Sequence, residues 1–478
     1  MAVSVRNAPD LVNRPAGGRS VPLRGDRSPP SGGTTSRGGR SYRRGMTSTP
    51  VSLYARRIGG GALILVGTLL APPAAVVAFL LAAAADAPLP ACAATALAAA
   101  ASVCGGVAYL GGRLARARRR VPVAILVAAG MTALVAVAGH LLVFRPIGVR
   151  ATALPPQDTR YWGLSTGSRI AYTFTRARGQ RRADPVVRLH GGPGTPGAGP
   201  DDLDRALAAT GFDVYTYDQL GSGRSQRLAD PAGYTVARQV ADLEAIRLRI
   251  GADRLVLAGS SWGATLAAAY LAAHPDRAAR VVLTSPGALW APEWEKSGEG
   301  EIWDRLTPAQ RRRMDGLENR PQLVAWSLLM AVNPRSAHAL LPDAELDPLF
   351  DELLSSVGSA ATCHPGRPLH EAASRSGFYS NQMISDDMLE APDPRPALRR
   401  VAVPTLILRG ECEYKRWEIA REYRDVIPGA RLVQVPDAGH VIEAEQPALY
   451  RSTVTAFLTG RPLPLAPYTA QTAPPSQR

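Results

Sequence analysis

Arg254-Leu255-Val256-Leu257-Ala258-Gly259-Ser260-Ser261-Trp262-Gly263-Ala264 decides how the rest of the chain is read. Its first half is a short apolar run of strand character, and residues 264–274 after it are rich in Ala and read as a helix. Between them one serine has glycine two positions before it and two after. A nucleophile held on a sharp turn from strand to helix has a strained backbone and neighbours that crowd the sheet, so small residues are needed at both places. Only Ser261 fits that frame; Ser260 is flanked by Ala258 and Trp262.

Two more motifs follow strands in the same way. His190-Gly191-Gly192-Pro193-Gly194 comes directly after the apolar run 186–189. Glycines at the end of a strand let backbone N–H groups approach a developing oxyanion with no side chain in the way, and the N–H groups of Gly192 and Trp262 are the candidate donors. Asp218-Gln219-Leu220-Gly221-Ser222-Gly223-Arg224-Ser225 is also glycine-rich, but it has neither the Gly-Lys-Ser/Thr ending of a phosphate loop nor the spacing of a dinucleotide loop. It reads as a structural turn beside the site.

Around these motifs, short apolar runs at 169–175, 186–189, 212–217, 254–258, 280–284, 405–409 and 431–435 alternate with helical patterns at 237–250, 264–274, 417–426 and 447–459. Such alternation predicts an α/β fold, a mostly parallel sheet with helices on both faces. Residues 289–399 interrupt it without a clear strand and read as a helical insertion, a cap. The core is expected over 150–288 and 400–465, with a flexible tail at 466–478.

With the three motifs in this order, the stretch from about residue 155 to 460 resembles the alpha/beta-hydrolase fold, and within it the prolyl iminopeptidase group of serine peptidases. The resemblance implies a triad in the order serine, acid, histidine. His440, in Ala438-Gly439-His440 after the run 431–435, matches the histidine. The family's acid, usually Asp, lies three residues past a glycine that ends a late strand; here that selects Glu413 after Gly410, with Glu411 the competitor and Asp437 a turn residue. The resemblance also implies carboxylates in the cap that hold a substrate's free amino end. The cap offers Glu293, Glu295, Glu299 and Glu301, then Asp386 and Asp387; Glu293 and Glu295 are the candidate substrate-binding pair, and 378–382 is where an amine-binding segment is expected.

The amino-terminal part is a different kind of sequence. The chain of 478 residues carries 55 Lys plus Arg against 40 Asp plus Glu, a net +15 that would suggest a nucleic-acid partner if it were spread over the molecule. It is not. Residues 1–57 contribute +9 and residues 113–120 contribute +5, which leaves 39 basic and 37 acidic residues after position 120. The tail 1–57, rich in Gly, Pro, Ser and Arg, is expected to be disordered and cytoplasmic, with Met46 an alternative start. Stretches 58–85, 89–112 and 121–144 lack charge and are each long enough to cross a bilayer, for which about 20 residues suffice. Together they form an expected anchor over 58–145, in which Gly105, Gly106, Gly111 and Gly112 suit close helix packing. Both Arg-rich segments belong on the cytoplasmic side, so three spans leave everything after Phe144 outside.

The expectation is a membrane-anchored serine hydrolase of acyl-enzyme type, an aminopeptidase acting on small peptides, with an esterase or lipid hydrolase on the same fold as the alternative and a non-catalytic membrane sensor as the second. Its partners are a small peptide or ester substrate and the lipid bilayer, not nucleic acid. No His/Cys/Asp cluster has ligand spacing, so neither a metal nor a cofactor is implied. Cys363 and Cys412, outside the spans, could pair in an oxidising compartment.

Overall fold

The computed structural model describes residues 50–148, 158–197, 199–300, 302–364 and 376–474. Almost all of the basic tail, Met46, Glu301 and the last residues of the C-terminal tail lie outside them. The chain forms two compact units. One takes in Phe79–Ala93 and Val137–Arg478; the other takes in Ala94–Ala136 and the stretch ending at Ala78.

Three long apolar helices come first: α1 (Pro50–Ala84), α2 (Leu89–Leu114) and α3 (Arg120–Leu142). Each is long and apolar enough to cross a membrane. In the smaller unit three of the expected glycines make close helix contacts, Gly112 among them, where a Cβ would lie 2.8 Å from Arg120 Cβ at the start of α3. A Cβ on Gly111 would lie 2.5 Å from the Gly60 carbonyl, and one on Gly105 would lie 3.1 Å from Ala128 Cβ. Gly106 differs, since nothing lies within 4 Å of a Cβ built there. Helical periodicity turns it away from the neighbour that Gly105 meets.

The larger unit is built on an eight-stranded sheet: β1 (Arg160–Gly163), β2 (Arg169–Thr175), β3 (Val186–Leu189), β4 (Val214–Tyr217), β5 (Leu255–Ser260), β6 (Ala278–Thr284), β7 (Thr405–Gly410) and β8 (Arg431–Val435). The spatial order is β1-β2-β4-β3-β5-β6-β7-β8; β1, β2 and β4 pair antiparallel and every later pair is parallel. β1 has no counterpart among the expected strands. It is a four-residue edge strand whose Trp162 stacks on Tyr172 of β2 with ring centroids 3.5 Å apart, so it forms through a tertiary contact.

The central strands are buried on both faces. Val187, Leu189, Leu255, Leu257, Val281 and Leu283 belong to one hydrophobic cluster, and Val186, Val256, Ala258, Val282, Leu406 and Leu408 to the other. That is why these strands read as unbroken apolar runs. Helices α4 (Asp202–Ala209), α5 (Val236–Ile250) and α6 (Trp262–Ala273) connect the first parallel strands. Between β6 and β7 the regular elements among the described residues are helices: α7 (Ala291–Trp294), α8 (Pro308–Glu318), α9 (Pro321–Met330), α10 (Pro334–Leu340), α11 (Asp343–Val357), α12 (Phe378–Asp387) and α13 (Arg395–Leu398). After β7 come α14 (Trp417–Val426), then β8, α15 (Ile442–Glu445) and α16 (Pro447–Thr459).

Candidate active site

Ser261 sits between the last residue of β5 and the first of α6, with φ +52° and ψ −120°. A non-glycine residue at positive φ is strained, and such strain is held only where the surroundings over-determine it. Here its own N–H donates to Thr284 O of β6 at 2.8 Å. The flanking glycines are needed for space rather than for conformation. A Cβ on Gly259 would lie 2.2 Å from Gly263 O, and one on Gly263 would lie 2.2 Å from Leu189 O and 2.7 Å from His190 O. Gly263 therefore lets α6 start against the end of β3, which carries the glycine-rich turn that begins at His190.

Glu413 and His440 come from the same end of the sheet. β5, β7 and β8 run parallel, and their carboxyl ends deliver Ser261, the turn at 411–413 and the loop at 436–440 to one rim, where open α/β sheets form their binding crevices. A Cβ on Gly410 would lie 2.2 Å from Gly439 O, so this glycine is what lets the two loops touch. His440 Nδ1 lies 2.9 and 3.0 Å from the two Glu413 carboxylate oxygens, one of which also accepts Lys415 N–H at 3.0 Å. Both side chains are buried. Burial by itself raises the Glu413 pKa, but His440, the Lys415 N–H and Arg409 outweigh it and bring it down to about 2. An ionised carboxylate against Nδ1 keeps the proton there and presents Nε2 as an acceptor. The Tyr414 ring, 4.7 Å from the imidazole, flanks it. Among the described residues, no hydrogen bond joins the Ser261 hydroxyl to His440. Such contacts are commonly long before substrate is bound.

Glu411, the competitor for the acid, is placed at the turn that carries Asp437. Its carboxylate accepts Asp437 N–H at 3.1 Å, and Asp437, at φ +53°, is a turn residue facing His364. The His440 loop is further held by the cap and by a buried carboxylate. His440 N donates to Ala361 O at 2.8 Å, while Glu445 accepts Gly439 N–H at 2.6 Å and Cys363 N–H at 2.9 Å. Cys363 and Cys412 are joined in a disulfide with Cα atoms 5.1 Å apart, which fastens the cap to the loop bearing Glu413.

The two glycine-rich motifs meet through His190, whose role was not legible in the sequence. Gln219 N–H donates to His190 Nε2 at 2.8 Å, Gln219 Nε2 donates to His190 O at 2.9 Å, and Gln219 Oε1 accepts the Trp262 indole N–H at 2.7 Å. One glutamine thus ties the three motifs together. Burial lowers the His190 pKa to about 4, so the ring is neutral, with its proton on Nδ1 facing Gly191 O. Gly191 is the glycine packed on the serine: a Cβ there would lie 3.2 Å from Ser261 Cβ. Gly192 follows at φ +111°, and a Cβ on it would meet the Gly194 and Thr195 nitrogens at 2.6 Å. Trp262, as first residue of α6, has an N–H that the helix leaves without an internal acceptor.

Beneath the site, Arg188 of β3 binds Asp201, Asp204 and Glu443, joining the strand that leads to His190 with the short helix that follows His440. Burial, reinforced by the two aspartates, outweighs Arg188 and raises Glu443 to about 7. An arginine in the middle of an apolar strand was the sequence signal for this cluster.

The cap carboxylates differ in their settings. Glu293 and Glu295 are exposed, and Glu293 lies 3.4 Å from Arg395. The four-residue helix α7 buries Ala291 and leaves Glu293 exposed, and Glu295 is exposed just past its end. Glu299 is the member of that group drawn inward. It accepts Ala288 N–H at 3.2 Å and pairs with Lys415 at 2.8 Å; burial opposes its ionisation, but Lys415 prevails and its pKa is lowered. Asp387 accepts Val236 N–H at the start of α5, a structural role. The segment 378–382 opens α12 and lies on the glycine-rich turn: Asn381 Nδ2 donates to Pro193 O at 2.9 Å and Gly377 N to Gly194 O at 2.7 Å.

The alpha/beta hydrolase fold family matches residues 184–447. Proline iminopeptidase of Levilactobacillus brevis is 28% identical over 296 residues, which cover 61% of this chain and 94% of that protein. A probable proline iminopeptidase of Leptolyngbya boryana is 27% identical over 306 residues, covering 58% and 88%. Among solved structures, proline iminopeptidase of Mycobacterium smegmatis aligns over 63% of this chain and 98% of its own, with 21% identity and a TM-score of 0.42. The family match spans more than half of the residues and contains every motif at the rim of the sheet; the chain belongs to the alpha/beta hydrolase fold family.

Proposed function

We propose that this hydrolase is a membrane-anchored serine hydrolase that works through an acyl-enzyme, with Ser261 as nucleophile, His440 as general base and acid, and Glu413 as the acid that orients it. The observation that carries the reading is the His440–Glu413 pair, 2.9 Å apart, at the same sheet rim as a serine held at φ +52°. Ser261 Oγ attacks a substrate carbonyl as its proton passes to His440 Nε2. The N–H groups of Trp262 and Gly192 hold the resulting oxyanion. His440 gives the proton to the leaving group as the carbonyl re-forms, leaving an acyl ester on Ser261. Water then attacks, loses its proton to His440, and releases the acid and the serine hydroxyl.

Within that chemistry we infer aminopeptidase action on small peptides, in keeping with the names of the similar proteins. One observation favours an esterase instead. Glu299, the cap carboxylate that turns inward, already carries Lys415, so a substrate ammonium would have to compete for it. Turnover by the full chain of aminoacyl anilides with free and with blocked amino ends, beside acyl esters, separates the two. We expect free aminoacyl substrates to be preferred at least about tenfold, the size of a single lost charge-assisted contact; preference for blocked amines or plain esters excludes the aminopeptidase.

The anchor is α1–α3, with the hydrolase unit outside the cytoplasm. Asn333 of that unit bonds to Ala83 O at 2.8 Å and to Asp86 at 2.7 Å, which supports the α1–α2 turn and the hydrolase lying on one side of the bilayer, as the distribution of arginines requires. A fusion of alkaline phosphatase after Arg478 should be active, and a cytoplasm-only reporter at the same place silent. The reverse pattern rules out this orientation.

A further inference from the structure

The hydrolase unit exposes few large apolar side chains. Among the described residues beyond Phe144 they are Tyr161, Leu248, Val324, Leu328 and Val332, and three of these five lie together. Val324 and Leu328 are four residues apart on α9, hence on one face, and Val332 continues the stripe just past the helix end. They are 58%, 44% and 40% exposed. The other face is ordinary: Trp326 and Leu329 are buried, and Trp326 Nε1 donates to Tyr379 Oη at 2.9 Å. α9 reads Pro-Gln-Leu-Val-Ala-Trp-Ser-Leu-Leu-Met, without one charged residue. A helix at a water surface turns charge outward, and one that is apolar on all sides calls for apolar cover on all sides.

The two ends of α9 indicate what that cover is. At its start, Arg320 donates to Ile147 O at 3.5 Å and Gln322 to Arg145 O at 3.3 Å, both just past the end of α3. Beyond its end, Asn333 bonds to Ala83 in the last turn of α1 and to Asp86 in the turn that follows. Ile147 N–H also donates to Glu345 of α11 at 2.8 Å. All these residues belong to the larger unit. The helix is therefore strung between the exits of two segments of membrane-crossing length, at the depth where hydrocarbon gives way to head groups.

We propose that the Val324–Leu328–Val332 face of α9 is a lipid-contacting surface that seats the cap in the interfacial layer of the bilayer that holds α1–α3. The proposal rests on the membrane-anchored reading above. An apolar helix face lying in that layer buries its stripe among head groups and upper acyl chains without a protein partner.

The test uses the full chain with Cys92 and Cys104 replaced by Ala, reconstituted in phosphatidylcholine–phosphatidylglycerol vesicles. A single cysteine is introduced as Val324→Cys or Leu328→Cys, with Leu248→Cys and Leu69→Cys for comparison, and labelled with the environment-sensitive fluorophore NBD. Nitroxide lipids carry the quencher either high or low on the acyl chain. Labels at 324 and 328 should be quenched about twofold, more by the high nitroxide than by the low one, as expected of an interfacial helix. The label at 248 should be unaffected, and the label at 69, on α1, quenched by the low nitroxide. Unquenched labels at 324 and 328 with a quenched label at 69 overturn this proposal and leave the anchor standing. An unquenched label at 69 removes the anchor and this proposal with it. Emission at 328 that shifts to the blue with protein-to-lipid ratio, but is not quenched by lipid, shows a second copy covering the face and also overturns it.

Discussion

Ser261→Ala should lower hydrolysis by about 10⁶-fold in kcat and abolish fluorophosphonate labelling, the loss typical of removing the nucleophile from such a triad. The fold should be unaffected. Among the described residues the Ser261 hydroxyl takes part in no hydrogen bond, and alanine meets the same backbone strain at φ +52° as serine does. The thermal midpoint of the variant should stay within a few degrees of the wild type, about the shift that 1 kcal/mol causes in a domain of this size. Labelling that survives in a folded Ser261→Ala chain would place the nucleophile elsewhere.

Glu413→Gln should cost about 10⁴-fold in kcat with little change in KM, the effect of holding the imidazole in the wrong tautomer. The glutamate offers two acceptor oxygens, to Lys415 N–H and to His440 Nδ1–H. A glutamine has one acceptor and one NH₂. With its oxygen on Lys415 N–H, the NH₂ faces Nδ1, which must then accept, and the ring proton moves to Nε2, where it blocks removal of the serine proton. Glu411→Gln, which alters only the carboxylate beside Asp437 N–H, should stay within a few-fold of wild type, as remote polar changes do. Activity in Glu413→Gln together with loss in Glu411→Gln would reverse the assignment. A stability consequence follows from the same carboxylate. Its folded pKa, about 2, lies below the ordinary 4.5, so its contribution is complete above pH 4.5 and is lost as the pH falls toward 2. Across that window the wild type should lose more stability than Glu413→Gln, as read by thermal unfolding.

The elbow was legible because its constraints are local. Gly259 and Gly263 flank the serine for reasons of space that any strand-turn-helix imposes, and the structure adds the neighbours they make room for, Gly263 O and Leu189 O. The parallel strands were legible because burial on both faces leaves an unbroken apolar run. β1 was not, because a four-residue edge strand carries little pattern of its own and forms by stacking Trp162 on Tyr172. The different settings of the cap carboxylates were not legible for a related reason. Glu293, Glu295 and Glu299 sit within seven residues of one another, and nothing in their spacing says that Lys415, 116 positions from Glu299, turns only the last of them inward.

The sequence by itself determined the alternation of strands and helices, the serine on its turn, the order in which histidine and acid follow, and three apolar stretches of membrane-crossing length. Each of these depends on sterics or hydropathy within a few consecutive residues. Tertiary structure alone decided how Gln219 binds His190 to Trp262, where the cap is fastened to the catalytic loops and which face of α9 is left bare. Those outcomes depend on pairings between distant segments, where several side chains of the same charge or hydropathy compete and packing admits one.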